Sequence, residues 1–381
     1  MPNTRPPTLF ILRLPALALA LAALASAAQA HHGFGQFNVD VDTEYSGTLT
    51  KMELVNPHSY MYFETADGTE MRCEMRAAML IRRSGWELDM FVVGSHVEIK
   101  GHPHRTDPSA CYLESFTLNE ETTLGRNDQL SSTDTVAAPS DRPLRLASGE
   151  PNISGDWAVE QNVLTAPPAG GRGDMVPRSL RDEYASGQMT LAEIRALNPT
   201  PRPVYTPAGE EAAEGFEMWS IEDNPRLSCQ LTSILYDWTF DWPINRITQT
   251  TTDSGERVID VDFGLYNFTR RIHLDMDRHP ADLEPNPFGH SIGKWEGDTL
   301  VVDTVGFPAG VLAPPTRHSD QLHVIERFTL NPETMALRRE YSATDPVYLA
   351  EPYAGADTVY LSETPYVYEG CKEMTPEFQQ Q

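Results

Sequence analysis

The chain has 381 residues and a formal net charge of -26 at pH 7, from 29 Lys plus Arg against 55 Asp plus Glu. An acidic surplus of that size repels phosphate backbones and anionic lipid, so neither nucleic acid nor a membrane surface is an expected partner. Hydrophobic residues make up 40% of the sequence, and the length leaves room for two domains that each bury a core.

Residues 9–27 form an apolar run behind Arg5 and Arg13, and Ala28-Gln29-Ala30 puts small residues at the two positions a signal peptidase reads. Residues 1–30 are therefore expected to be a cleaved signal peptide, with a periplasmic or secreted mature chain. No later stretch approaches the roughly 18 apolar residues of a spanning helix, so no membrane insertion of the mature chain is expected. Cleavage after Ala30 would make His31 the first residue, followed by His32. A free terminal amine beside an imidazole chelates metal, and with His58 or His32 closing the set the amine and imidazole of His31 would form a nitrogen-only, T-shaped copper site of the histidine-brace type. The competing reading is a solvated terminus, with His58 packed at a strand start after Pro57.

Residues 31–120 carry short alternating runs at 46–55, 59–64, 69–75, 90–100 and 112–118, with Ala66-Asp67-Gly68 as a hairpin turn. Between the third and fourth runs, residues 76–84 read as one short helix closed by Gly85. Five strands with a helix in that place is the order of an OB-like barrel. Residues 121–151 are rich in Ser, Thr, Asp, Pro and Gly and read as a linker.

Residues 152–381 begin at Ile153-Ser154-Gly155-Asp156-Trp157, and a helix is expected over 180–197, ended by Pro199 and Pro201. Strands are expected at 231–237, 244–251, 257–263, 268–274, 299–305, 324–330 and 336–341. Regular short strands with turns such as Glu296-Gly297-Asp298 favour a closed antiparallel barrel, which leaves no exposed edge. The fold expected is all-β with few helices.

Cys73 and Cys111 precede the linker, and Cys229 and Cys371 follow it, which favours the disulfides Cys73–Cys111 and Cys229–Cys371 among three connectivities. In an OB-like order the third and fifth strands are neighbours, which brings Cys73 and Cys111 within reach of each other.

Several segments carry a resemblance. HHGFGQFNVD at 31–40, NPHS at 56–59, RRSGW at 82–86 and VGSHVEIKGHP at 93–103 resemble a small exported bacterial domain of unknown function. TPAGEEA at 206–212, RRIHLD at 270–275, GHSIGKWEGDTLVVDTVGF at 289–307 and HSDQLHVIERF at 318–328 are similar to a second uncharacterised exported bacterial family. The segment KWEGDTLVVDT also resembles a strand-turn-strand unit of lipocalin-like barrels, which implies that fold for the second domain and no particular chemistry.

Six of the eleven histidines precede residue 105, and the other five follow residue 272. In the second domain His290, Asp298 and His318 are candidates for acid-base catalysis, since a carboxylate raises and orients a neighbouring imidazole. Arg270, Arg271, His279, Trp295 and Glu326 are candidates for holding a ligand. Asp303 shares a strand face with Val301 and Val305, and an acid there needs a partner, for which Arg270, Arg271 or Arg327 are at hand. Trp238, Phe240, Trp242, Phe263, Tyr266 and Phe268 would either pack the core or line a cavity for an apolar or carbohydrate-like molecule. The leading expectation is an exported ligand-binding or accessory protein for a small apolar or aromatic molecule. An enzyme acting on such a molecule, and a copper protein, stand beside it.

Overall fold

The computed structural model describes residues 36–119, 123–130, 142–171, 173–218, 220–266 and 268–372. The expected signal peptide, His31 and His32 lie outside the described residues.

Alternating residues in the first part form β1 (Thr43–Glu53), β2 (Tyr60–Glu64) and β3 (Glu70–Glu74), then helix α1 (Ala78–Arg83), β4 (His96–Pro103), β5 (Ala110–Leu118) and the short β6 (Leu124–Gly125). The sheet closes because β3 pairs in parallel with β5, giving the circular order β1-β2-β3-β5-β4 of an OB-like barrel. Cys73 stands opposite Cys111 in that parallel pair and is bonded to it. The interior is apolar: Leu49, Met61, Phe63, Ile99 and Phe116 are buried around Trp86. The Trp86 indole donates to the Asp128 carbonyl at 3.1 Å, which ties the start of the expected linker to this barrel. The strand expected from residue 90 begins only at His96, because residues 88–90 make a 3-10 turn and Gly94 adopts φ +94°.

The second part contains β7 (Gly155–Ala158), the hairpin β8 (Asn162–Thr165) and β9 (Asp174–Pro177), helices α2 (Arg181–Ala185), α3 (Leu191–Leu197) and α4 (Pro207–Glu214), and then a run of strands. These are β10 (Ile244–Thr251), β11 (Arg257–Phe263), β12 (Phe268–His273), β13 (His290–Glu296), β14 (Thr299–Val305), the hairpin β15 (Gly310–Ala313) and β16 (Thr316–His318), β17 (His323–Asn331), β18 (Ala336–Thr344) and β19 (Tyr353–Leu361). Nine of them close a barrel in the order β7-β10-β11-β12-β13-β14-β17-β18-β19. Strand directions cannot alternate all the way round an odd-numbered ring, so one parallel neighbour is required. It falls at β12 and β13, and every other neighbouring pair is antiparallel.

A ring of this size leaves more interior than strand side chains fill. The space is taken by residues 225–242, which enter the barrel as a plug and bury Leu231, Ile234, Leu235 and Trp238 in the main core. The strand expected at 231–237 is therefore a run of turns, because its apolar residues meet the barrel on several sides and not on one face. The helix expected over 180–197 is broken between α2 and α3 where Gly187 turns at φ +77°, and Thr190 caps α3 through the Glu193 amide. Cys229, just before the plug's buried run, is bonded to Cys371 near the end of the described chain.

The two barrels are joined by buried polar contacts. Arg83, almost fully buried at the end of α1, donates at 2.7 Å to the carbonyls of Trp242 and Val159 in the second domain. Asn56 donates to the Leu265 carbonyl at 3.0 Å, and Arg82 pairs with Glu369. Among the described residues no helix is long and apolar enough to cross a membrane.

Candidate functional site

Three places in the second barrel bring chemistry-bearing residues together. The first is inside it. Arg270 on β12, Glu326 on β17 and Arg339 on β18 all point inward and are at most 2% exposed. Arg339 lies between two acids, at 3.2 Å from Glu326 and 2.5 Å from Asp357 on β19. Arg270 reaches the other Glu326 oxygen at 2.6 Å, as an ion pair off the hydrogen-bond direction, and donates to Ser291 and Thr304. Arg339 also donates to the carbonyls of Ile234 and Leu235, which anchors the plug. Two cations and two anions in alternation leave no net buried charge, the condition under which buried ions persist.

The second is a band across the outside of four neighbouring strands. His273 (β12), His290 (β13), Asp303 (β14) and His323 (β17) face outward, and His279 comes in from the loop between β12 and β13. Asp303 Oδ1 lies 3.2 Å from His279 Nε2 and 2.9 Å from His323 Nε2. His279 Nδ1 lies 2.8 Å from His290 Nδ1, and His290 stacks on His273 at 5.0 Å between ring centres. His273 Nδ1 in turn contacts Glu256 at 2.6 Å. A carboxylate only accepts, so His279 carries its hydrogen on Nε2; in its neutral form its lone pair is on Nδ1, and His290 must donate from Nδ1. That leaves the His290 lone pair on Nε2. Burial is the main cause of a His290 pKa below the usual imidazole value, so the ring is held neutral and this nitrogen keeps its lone pair. The stacked rings of His273 and His290 hold their lone pairs in separate parallel planes, which does not bring them to bear on one ion. Among the described residues no group of three or more His, Cys, Asp or Glu has the arrangement to hold a metal.

The third is a cleft of about 610 Å³ at the barrel mouth, between the plug, the β15–β16 hairpin and residues 198–205. Its walls are rings: Tyr205, Tyr236, Phe240, Trp242, Tyr341 and Tyr353, with Pro201, Pro203, Pro314 and Pro315 and the charged edge of Asp357. Tyr341 and Tyr353 stack at 6.3 Å, and burial raises both hydroxyls above the usual phenol pKa, so they stay neutral donors. Gly355 is required there, because a Cβ would lie 2.6 Å from both the Tyr341 hydroxyl and Pro201. Asp241 and Trp242 are consecutive non-glycine residues at φ +59° and +54°. Strain of this kind persists only where surrounding structure enforces it. The bond from Arg83 of the first barrel to the Trp242 carbonyl is part of that enforcement.

The residues singled out from sequence are distributed over these places and beyond them. Arg270 and Glu326 meet inside the barrel, and His279 and His290 meet on its outer band. Arg271 faces outward and pairs with Asp260 at 2.8 Å, Trp295 packs half-buried against the core, and Asp298 sits at an exposed turn 2.7 Å from Arg145. His318 is buried apart from these, with Nδ1 2.9 Å from the Ser319 carbonyl, and burial lowers its pKa. Asp303 finds its partners in His279 and His323, not in Arg270, Arg271 or Arg327, because its strand face is the outer one. Arg327 pairs with Glu296. His58, the third member of the expected copper set, holds Glu74 through Nδ1 at 2.5 Å. Sequence reasoning missed Arg339 and Asp357; the signal available was an arginine on the strand face that it shares with Leu337, Tyr341 and Ala343.

Residues 18–111 match a family of unknown function, DUF6152, so the similarity covers most of the first barrel and stops within β5. No curated protein matches the chain.

Proposed function

We propose that this is an exported protein, periplasmic or secreted, that binds a small apolar or aromatic molecule in the cleft at the mouth of the second barrel. One observation carries the reading: a cavity of about 610 Å³ walled by aromatic rings and prolines, with strained Asp241 and Trp242 on its rim. That size is within the roughly 300–1,000 Å³ of small-molecule sites, and rigid apolar walls with a few polar groups are their usual composition. The filled interior directs a ligand to the mouth and away from the barrel axis. Two disulfides are compatible with an oxidising compartment.

Titration with the neutral fluorophore N-phenyl-1-naphthylamine tests it. Binding is expected with a rise in emission, and Ala313→Trp, which places a ring in the cleft, is expected to abolish it without moving the melting temperature. Unchanged affinity in that variant would refute the assignment.

A second reading, acid-base catalysis on the outer band, is favoured by the Asp303–His279–His290 chain. It would make His290 Nε2 the base.

A further inference from the structure

A separate cavity of about 210 Å³ lies where the barrels meet. The first barrel contributes Pro57 and His58, and the second contributes Arg226, Tyr236, Phe240, Asp241 and Tyr266 among others. It shares with the mouth cleft the wall formed by Tyr236, Phe240, Asp241 and Pro314, and its other lining residues are its own. We propose that this interdomain pocket binds a single-ring aromatic carboxylate, with His58 and Arg226 receiving the carboxylate and the stacked pair of Tyr236 and Phe240 walling one side of the ring.

Size sets the first limit. A cavity of roughly 150 Å³ suffices for benzene, so the pocket suits one ring with a small substituent and is below the usual range for drug-sized ligands. Most of its lining is apolar or aromatic, including Met218, Leu227 and Pro314. Tyr236 and Phe240 stack at 4.4 Å with 23° between their planes, and the Arg226 guanidinium lies 3.8 Å from the Phe240 centroid. The stacked pair thus carries the cation over its Phe240 ring.

Charge sets the second. In a chain of net charge -26 a carboxylate needs local cations to bind at all. Arg226 donates one amino group to Asp241 at 2.5 Å, and His58 uses Nδ1 on Glu74, so each cation is oriented by one acid and keeps a further donor edge, Nε2 in the case of His58. Burial opposes protonation of His58, but the charge and hydrogen bond of Glu74, with Asp241 beyond, outweigh it and raise its pKa despite the opposing charge of Arg226. The Tyr266 hydroxyl, pushed up to about 12 by burial, donates to the Arg226 carbonyl at 3.1 Å and fixes that backbone, while the Tyr236 hydroxyl, also raised by burial, stays protonated beside Arg226. Asn56, next in the chain but one to His58, is bonded to Leu265 of the second barrel, so the position of His58 is fixed by the domain interface itself.

Isothermal titration of the full chain at pH 6 with benzoate and 4-hydroxybenzoate, against benzamide as the neutral isostere, decides the matter. The acids are expected to bind at least tenfold more tightly than the amide. His58→Gln should cost at least tenfold in benzoate affinity and abolish its decline as the pH rises. Arg226→Lys, which keeps charge but loses the planar fork, should cost several-fold. Ala313→Trp in the neighbouring cleft should leave benzoate binding unchanged. Equal binding of acid and amide, no binding of either, or benzoate affinity that survives His58→Gln in a variant with native melting temperature would each overturn the proposal.

Discussion

The first barrel fills its interior with Leu49, Met61, Phe63, Ile99, Phe116 and Trp86, while the second, with nine strands, holds Arg270, Glu326, Arg339 and Asp357 in its interior and a folded plug beside them. Width accounts for the difference. Five strands converge closely enough for apolar side chains to meet across the axis, but nine do not, and long charged side chains reach where Leu and Val fall short. Apolar packing stabilises through area and tolerates similar shapes. A buried charge chain adds little net stability but penalises any arrangement that breaks it, so it fixes where the plug sits and hence the shape of the cleft above.

The sharpest way to break that comparison is Glu326→Ala. It leaves Arg270 buried without its acid and Arg339 with Asp357 alone, and loss of one member of a buried ion set costs roughly 3–5 kcal/mol. Urea unfolding should show a loss of that order, together with loss of the fluorophore binding expected at the cleft. A loss under about 1 kcal/mol would mean the chain is not what holds the plug.

Asp237 sharpens the same contrast at smaller scale. It is fully buried in the plug, with one oxygen accepting from the Thr232 amide at 2.6 Å and the other without a partner. Burial pushes its pKa up to about 6 against the pull of Arg226. Its folded value is above the unfolded one, near 3.8, so the folded state holds the proton more tightly and stability falls as pH rises through that window. Asp237→Asn can keep the Thr232 bond and removes the ionisation. Denaturant unfolding should show a gain on the order of 2 kcal/mol at pH 8 that vanishes near pH 4. An equal gain at both would assign the effect to packing.

What the sequence made legible follows from the same physics. The first barrel, its helix and both disulfides could be read because alternation there reports one apolar face, and because Cys73 and Cys111 belong to strands that an OB-like order makes neighbours. The plug could not, because a segment buried on several sides shows no single period, and residues 231–237 resemble a strand in composition alone. His279 and His290 were legible as chemistry, but their link to Asp303 depends on which strand face is outer, and a period of two leaves that choice open. Arg339 and Asp357 were hidden because their pairing joins separate strands of a closed ring. The strained Trp242 was visible only as one more aromatic residue.

The smallest expected effect falls on the outer band, where solvent weakens every pair. Asp303 and His323 are each more than two-fifths exposed in their side chains, so Asp303→Asn should change stability by less than about 1 kcal/mol. Its consequence lies in the tautomer. An asparagine oxygen can still accept from His279 and His323, but it supplies no charge to favour the Nε2 hydrogen of His279, and its amide can turn round and donate to that nitrogen instead. His279 is then free to place its hydrogen on Nδ1, which turns the 2.8 Å contact with His290 round and moves the His290 lone pair to Nδ1. Nitrogen chemical shifts of the imidazoles at pH 7.5 report this directly. In the native chain His290 should carry hydrogen on Nδ1, and in the variant it should shift toward Nε2 while the buried Arg270 and Arg339 resonances stay in place. If the His290 shifts are the same in both, the chain of contacts does not set its basic nitrogen. The outer band is then a solvated surface, and the acid-base reading falls while the cleft is untouched.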